Sequence, residues 1–386
     1  MAEILYVGFY APIDNNVEHR NCCVAAVNLM NYVAKSLAHF RRVTIVSPSW
    51  TLKSDGSYGP KRTLLGKNLS LQTSPTIGFK NPLSKALVYA FSQVWLFIYL
   101  LRHASKDSTV LVYHSPWLAL PVILSKYIKR FTLVLQVCEI YQDATQWGPL
   151  MRHAEHRLIA VADRYLLSTE ILNKKINPTK KPSCVCGGVY QVERILSSPP
   201  NDGKIHLVYS GVIDQVKRGA FTAVQTAEFL GPDFHTHIIG FGRSEDIKAL
   251  LDLIAEVNRR GGCQVTYEGI RLGDEFLRFL QSCHIGYSTQ APDHEFNSSS
   301  FPAKIFSYLT NRLRVVSIST DAIKSSEASP VIHFYYHDDP SEIADVVRNV
   351  DLTDVSREVG MVQKLHENFL ISISTLLGID RTPKAA

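Results

Sequence analysis

Short apolar runs alternate with stretches of helical periodicity along almost the whole chain. ILYVGFY (Ile4–Tyr10) stops at the polar loop APIDNN, which predicts a buried strand. Val27, Met30, Ala34 and Leu37 then recur at helical spacing, and VTIVSPS (Val43–Ser49) is a second apolar run. Strand, helix, strand at that spacing is a βαβ unit and implies a parallel sheet. TVLVYHSP (Thr109–Pro116) and FTLVLQVCEI (Phe131–Ile140) continue the series. Ala154–Ile176 reads as helix, and CVCGGVY as the end of a strand. SSPPNDG (Ser197–Gly203) is small, polar and proline-rich, the composition of a linker.

Beyond the linker the alternation restarts. IHLVYSG, HTHIIGFG, CQVTYEG, HIGYSTQ and RVVSIST read as strands, and Phe221–Leu230, Ala249–Val257 and Glu275–Ser282 as the helices between them. The expected architecture is α/β, with two Rossmann-like doubly wound domains at 1–197 and 204–354. A helical tail at 355–386 is expected to pack back on the first domain. Such sheets bind ligands beyond the C-terminal ends of their strands, so a central cleft between the two is the expected site. ALVYAFSQVWLFIYLL (Ala86–Leu101) is shorter than the roughly 20 residues that span a bilayer, and Ser92 and Gln93 interrupt it. It reads first as a core helix, and second as one lying at a membrane face with Trp95 and Tyr99 at the interface.

Composition narrows the class. The 386 residues suit two domains, and 46% apolar with 20% charged residues argues against disorder. The opening MAEILYVGFY has no basic n-region, so no signal peptide is expected. Seven cysteines without a CxxC read as reduced thiols, neither a disulfide framework nor a zinc site. Charge is uneven. Residues 1–200 hold 23 Lys and Arg against 11 Asp and Glu, a net +12, and the remainder holds 18 against 24, a net −6. The basic half suits an anionic surface. A membrane is favoured over nucleic acid, because no basic stripe with interleaved aromatics is present.

The candidate chemistry follows the strands of the second half. VIDQVKRGA places Lys217, Arg218 and Gly219 beyond IHLVYSG, and NSSSFPAKIFSYLTNRLRVV (Asn297–Val316) follows HIGYSTQ. In that segment Pro302 presets a helix start and Lys304 stands on its first turn. A cation opposes the dipole there unless an anion is bound, and helix N-termini bind phosphate. Two basic side chains, small-residue turns and a helix N-terminus on one sheet edge suit a nucleotide diphosphate.

This ordered set resembles the donor domain of bacterial GT-B glycosyltransferases. It is most similar to glycosyltransferase family 4 enzymes of capsule, O-antigen and exopolysaccharide assembly, which carry an SFPSK…EYL-type motif. The likeness covers about Lys204–Thr320, and the first half, including Glu155–Thr169 and Gly187–Tyr190, fits in general pattern. The resemblance implies a nucleotide-sugar as co-substrate, no other cofactor and no metal in the transfer. It places Arg218, Lys217 and Lys304 at the donor diphosphate. Gly211, Gly240, Phe241, Gly242, Tyr267 and Gly269 belong to turns around the donor, and Ser299, Ser300 and Phe301 to the sugar-phosphate. Family members with the fuller signature carry two glutamates eight positions apart; this chain has Ser299 and Ser307 there, with Glu295 off register.

On the acceptor side, His114 after VLVY and Glu139 after LVLQVC stand where catalytic groups are expected, with Asp143 beyond them. Tyr10, Asn15 and Asn16 follow the first strand and are candidates for acceptor contact. Retaining transfer in this fold needs no protein nucleophile. The expected activity is therefore transfer of a sugar from a nucleotide-sugar donor to a lipid-linked glycan acceptor, by a cytoplasmic protein peripheral at the inner face of the plasma membrane. Lys126, Lys129, Arg130, Lys174, Lys175, Lys180 and Lys181 are candidates to hold the anionic membrane surface. The rivals are a nucleotide-sugar epimerase on the same fold, and a non-catalytic scaffold or nucleic-acid binder using the basic half.

Overall fold

The apolar runs become the inner strands of two separate sheets in the computed structural model, which describes residues 3–13, 16–144, 148–290 and 300–379. The chain divides into two compact units, residues 1–187 with 368–386, and residues 188–367.

In the first unit the strands are β1 (Ile4–Val7), β2 (Val43–Ser47), β3 (Ser57–Tyr58), β4 (Lys61–Gly66), β5 (Leu69–Thr73), β6 (Thr76–Ile77), β7 (Thr109–Tyr113), β8 (Thr132–Val137), β9 (Arg164–Leu167) and β10 (Ser183–Val185). Its helices are α1 (Val24–Ala38), α2 (Pro82–His103), α3 (Ala119–Lys129), α4 (Tyr141–Ala144), α5 (Pro149–Val161) and α6 (Glu170–Ile176). Among the described residues the main sheet runs β10-β9-β8-β7-β1-β2-β5-β4, parallel except for β4 against β5. β2 is buried along its whole length, as a strand covered on both faces must be. Winding reverses at β1, which has β2 on one side and β7 on the other. The ligand crevice of such a sheet opens there, just before Phe9, Tyr10 and His114.

Three local readings change. Ala154–Ile176 is helix, strand and helix: the four residues of β9 are too few to break the apolar period of their neighbours. The β3–β6 ribbon and the β4–β5 hairpin carried too short an alternation to be read. Helix α2 is longer than expected and only partly a core helix. Asn81 caps it, accepting from the Ser84 N–H at 2.8 Å. One row, Val88, Ser92, Leu96 and Leu100, is buried. A second row, Leu83, Leu87, Phe91, Val94 and Ile98, faces outward, with Leu83 72% and Leu87 63% exposed. Trp95 and Tyr99, placed at a membrane interface only by the second reading, pack against the core and stack on each other at 5.2 Å.

The second unit contains β11 (Ile205–Ile213), β12 (Phe234–Gly242), β13 (Gln264–Gly269), β14 (Ile285–Ser288), β15 (Arg314–Ile318) and β16 (Ile332–Tyr335). The helices are α7 (Gly219–Thr226), α8 (Ser244–Arg260), α9 (Gly273–Gln281), α10 (Ala303–Thr310), α11 (Asp321–Lys324), α12 (Pro340–Arg348) and α13 (Ser356–Leu377). The sheet is parallel throughout in the order β13-β12-β11-β14-β15-β16, the Rossmann order with its reversal between β11 and β14.

The proline-rich Ser197–Gly203 stretch does not mark the division, which falls at Gly187/Gly188. Residues 188–197 belong to the second unit because they are bonded to it. Phe306 fills the space where Gly188 lacks a Cβ, Tyr190 meets the same ring edge-on at 4.7 Å, and the Glu193 N–H donates to Thr310 O at 2.9 Å. Gln281 Oε1 accepts from the Leu196 N–H at 2.7 Å and the Ser197 N–H at 3.1 Å. Helix α13 begins in the second unit, where Glu358 lies 3.4 Å from Arg314, and its residues from Asn368 onward count with the first. There Phe369 stacks on Tyr32 at 5.3 Å and the Leu376 carbonyl accepts from Arg164.

Candidate functional site

The reversal between β11 and β14 brings two loops together at the C-terminal edge of the second sheet. Asp214 organises the first: its Oδ1 accepts from the Val216 N–H at 2.7 Å and the Lys217 N–H at 3.0 Å. That turn leaves Arg218 left-handed, at φ 56°, as the N-cap of α7. A non-glycine residue held there stores local strain, a pattern that clusters at functional sites. Gly219 opens α7, and a Cβ there would strike Thr289 O and the Tyr209 hydroxyl. The second loop is pinned by Thr289 Oγ1, which donates to Gly219 O at 2.7 Å.

Lys304 sits on the first turn of α10 and folds its ammonium over the Tyr209 ring, 3.8 Å from the centroid. Its Nζ lies 3.2 Å from the point a Cβ on Gly211 would occupy, so Gly211 supplies the room. Burial, and then the charge of Lys217, pull its pKa down to about 7, and no carboxylate among the described residues opposes them. A partly desolvated ammonium beside a second one is stabilised by an anion. Arg218, half exposed, is loosely balanced by Asp338 at 3.6 Å. The structure therefore brings Gly211, Lys217 and Lys304 together, with Arg218 on the same loop.

The other expected donor residues lie on β12, on β13 and around α10. Gly240 and Gly242 lie inside β12 rather than in a turn, and a Cβ at either would collide with the Gly211 or Ile213 carbonyl of β11. Phe241 between them is 54% exposed, and the Tyr267 hydroxyl donates to Gly240 O at 3.0 Å. Gly269 ends β13 at φ 72°, a backbone shape that favours glycine. Phe301 is buried and stacks on Phe306 at 5.0 Å, so it packs the base of α10. Ser307 is half-buried on the same helix, one turn beyond Lys304, with its hydroxyl 3.4 Å from Ala303 O. Ser300 is half-buried, whereas Ser299, Asn15 and the side chain of Asp143 lie outside the described residues.

In the first unit the residues after β1 are committed internally. Tyr10 is buried and its hydroxyl donates to Asn31 Oδ1 at 2.5 Å, which removes it from the expected acceptor contact. Burial pushes that phenol up to about 12. Asn16 is taken by the loop, accepting from the Arg20 N–H at 2.8 Å and donating to Arg20 O at 3.0 Å. His114 follows β7, and its ring is enclosed, with Nε2 3.3 Å from Glu155 Oε1 and Tyr141 alongside at 5.4 Å. Burial lowers His114 to about 4, so the imidazole is neutral at physiological pH. It was expected to make a direct catalytic contact, and its ring is buried at 2% exposure. Glu139 is half-buried on the loop after β8, and its backbone touches His114. Lys126 and Lys181, expected to face lipid, are spent within the unit on Asp163 and on the Ala160 and Ala162 carbonyls.

No family model matches the chain, and no curated protein matches it. Solved structures do. A structure described as trehalose-6-phosphate from E. coli bound with UDP-2-fluoro glucose aligns at TM-score 0.68 and 10% identity, over 98% of this chain and 100% of that one. An α,α-trehalose-phosphate synthase (UDP-forming) from Burkholderia xenovorans, in complex with glucose-6-phosphate, aligns at 0.66 and 11%, over 98% and 99%. Anabaena Alr3699/HepE in complex with UDP aligns at 0.61 and 10%, over 98% of each chain. The chain has the GT-B fold.

Two features of this GT-B chain escaped the sequence. Glu155 is fully buried, accepts the Tyr141 N–H at 2.9 Å and faces His114. Its signal was faint: an acid in register with Leu158 on the buried row of α5. The other is an aromatic cluster at the first sheet's C-terminal edge. Trp50 packs on Tyr89 at 4.0 Å, with Phe9 at 5.3 Å from Trp50 and Trp117 at 5.8 Å from Tyr89. Its members lie on four separate segments, so nothing local announces it.

Proposed function

We propose that this GT-B protein is a glycosyltransferase that takes a sugar from a nucleotide-sugar donor and passes it to a lipid-linked glycan. The observation that carries the reading is Lys304: a crowded ammonium over Tyr209, beside Lys217, with no carboxylate to offset it among the described residues. A diphosphate leaving group is the anion that such a site stabilises most as its charge grows. The presence of UDP or a UDP-sugar in two structures of the same fold supports that choice.

In the reaction the acceptor oxygen bonds to the anomeric carbon while the bond from that carbon to the phosphate oxygen breaks. The electron pair leaves with the diphosphate, which Lys304, Arg218 and the free N–H groups at the start of α10 neutralise. The acceptor's proton goes to Glu139, which His114 and Glu155 help to position. Transfer with retention, on the face the diphosphate leaves, needs no protein nucleophile. Like the metal-free chemistry implied by the family 4 resemblance, it asks only for charge stabilisation.

The outward row of α2 supports a membrane-bound acceptor. Leu83, Leu87, Phe91, Val94 and Ile98 are exposed, and the adjoining α3 adds exposed Leu120, Leu124, Tyr127 and Ile128. Lys85, Arg102 and Arg130 are exposed near this face. An amphipathic face of this kind lies in an anionic bilayer surface. α2 has the length and composition to cross a bilayer, but its buried row ties it to the sheet, which favours a peripheral pose. Surface polysaccharide assembly at the cytoplasmic leaflet fits both features.

The test is calorimetric titration of nucleoside diphosphates, followed by donor turnover with a lipid-linked acceptor and an NMR reading of the product's anomeric configuration. Binding that needs Lys304, and transfer with retention, support the proposal. Diphosphates that bind neither the parent protein nor its variants contradict it.

A further inference from the structure

The opposite edge of the second sheet holds a group of histidines that the transfer site does not use. His206 and His235 face each other across β11 and β12, and strand alternation puts His237 on the same face as His235. One ring nitrogen from each of the three lies within 4.8 Å of the others. His206 and His237 are buried, and His235 is half-buried. Phe279 of α9 closes the cluster edge-on against His237 at 5.3 Å.

The hydrogen-bond count is the decisive feature. His237 Nδ1 lies 2.9 Å from Glu268 Oε1, and His206 Nε2 lies 3.2 Å from Asp202 Oδ2. Carboxylates accept only, so each of these nitrogens carries the N–H. The remaining nitrogens, His206 Nδ1 and His237 Nε2, are then both lone-pair acceptors, and they face each other at 2.9 Å. Two neutral imidazoles supply two N–H groups for three contacts. The facing pair needs either a third proton or a cation shared between the two lone pairs. The carboxylate–imidazole arrangement on each side is also what orients histidine around a bound metal.

We propose that His206, His235 and His237 bind one divalent transition-metal ion, zinc being the best match to three imidazoles with an open fourth position. Metal–nitrogen bonds of about 2.0–2.1 Å need nitrogens about 3.3 Å apart in a tetrahedral site. The facing pair therefore opens by a few tenths of an ångström. Asp202 and Glu268 offset the ion's charge, while Arg271, paired with Glu268 at 3.1 Å, and Lys204 oppose it. The site is structural, clamping β11 to β12, with Glu268 of β13 held through His237, at the end of the sheet away from Lys304, and it is independent of the transferase reading.

The test uses the full chain, stripped with chelator and titrated with Co²⁺. The proposal expects one equivalent to develop the visible d–d absorption of a tetrahedral site, to be bleached by Zn²⁺, and Zn²⁺ to raise the melting temperature. His237→Gln and the half-buried His235→Gln should each weaken binding at least tenfold, with circular dichroism reporting whether each folds. Absence of both the absorption and the melting shift overturns the proposal and assigns the missing charge to a protonated histidine. Stoichiometric binding that survives in folded His235→Gln also overturns it.

Discussion

The C-terminal edges of the two sheets stand at equivalent places in equivalent topologies and are built in opposite ways. In the second sheet the edge is basic and crowded. Lys304 and Lys217 repel each other, Arg218 is held left-handed, and glycines keep the backbone open. In the first sheet polar groups are turned inward, most of them onto partners within the unit. Arg20 is buried and ties three loops together through Glu18, Ser49 O and Ser74 O, Tyr10 bonds Asn31, and His114 faces Glu155. The contrast implies a division of labour. The proposed anion site is the edge where Lys304 has no carboxylate to offset it among the described residues, whereas the other edge offers a rim of aromatic rings, with Trp117 exposed.

The comparison breaks most sharply at Lys304. Lys304→Met should weaken nucleoside diphosphate binding by about 10- to 150-fold, the equivalent of a charge-assisted contact of about 1.5–3 kcal/mol. Arg218→Ala should cost somewhat less, because Asp338 already claims part of its charge. Substituting His114 with Gln should leave that affinity unchanged. Titration calorimetry on the three variants checks the contrast.

The next effect is a proton. Free Lys304 has a pKa of about 7, and a bound diphosphate raises it. Binding near pH 7.5 should take up a proton, and affinity should fall by up to about tenfold per pH unit as pH rises above 7. Calorimetry in buffers of different ionisation enthalpy reads that uptake directly, and Lys304→Met should abolish it.

Outside both edges, Leu87→Glu with Phe91→Glu on α2 should cut sedimentation with anionic vesicles several-fold while leaving the melting temperature nearly unchanged. Both side chains already face outward, so little packing is lost. A smaller effect belongs to the first sheet. His114 is depressed to about 4 from an unfolded value of about 6.5, so the unfolded chain binds the extra proton first. Stability should fall as pH drops from about 6.5 towards 4, and His114→Gln should flatten that slope in urea titrations.

The two edges also differed in how far the sequence disclosed them. The charged one was legible because its residues follow strand ends directly: Gly211, Lys217, Arg218 and Lys304 need only the βα alternation to be placed on one edge. HTHIIGFG is a strand through Gly242, as its apolar run predicts, and only the family resemblance put Gly240 and Gly242 in a turn. The inward-bonded edge stayed hidden. Glu155 meets His114 from 41 residues away, and Arg20 reaches carbonyls 29 and 54 residues away. Pairings of that range are set by tertiary packing, and no local period encodes them. The same holds for His206 with His237, whose partnership depends on strand register alone.

The most direct measurement is a crystal structure of the protein with UDP. The account predicts the β-phosphate within ion-pair distance of Lys304 Nζ and the Arg218 guanidinium, beside Gly211. Phosphorus density away from those three residues, with Lys304 still folded over Tyr209, would contradict it.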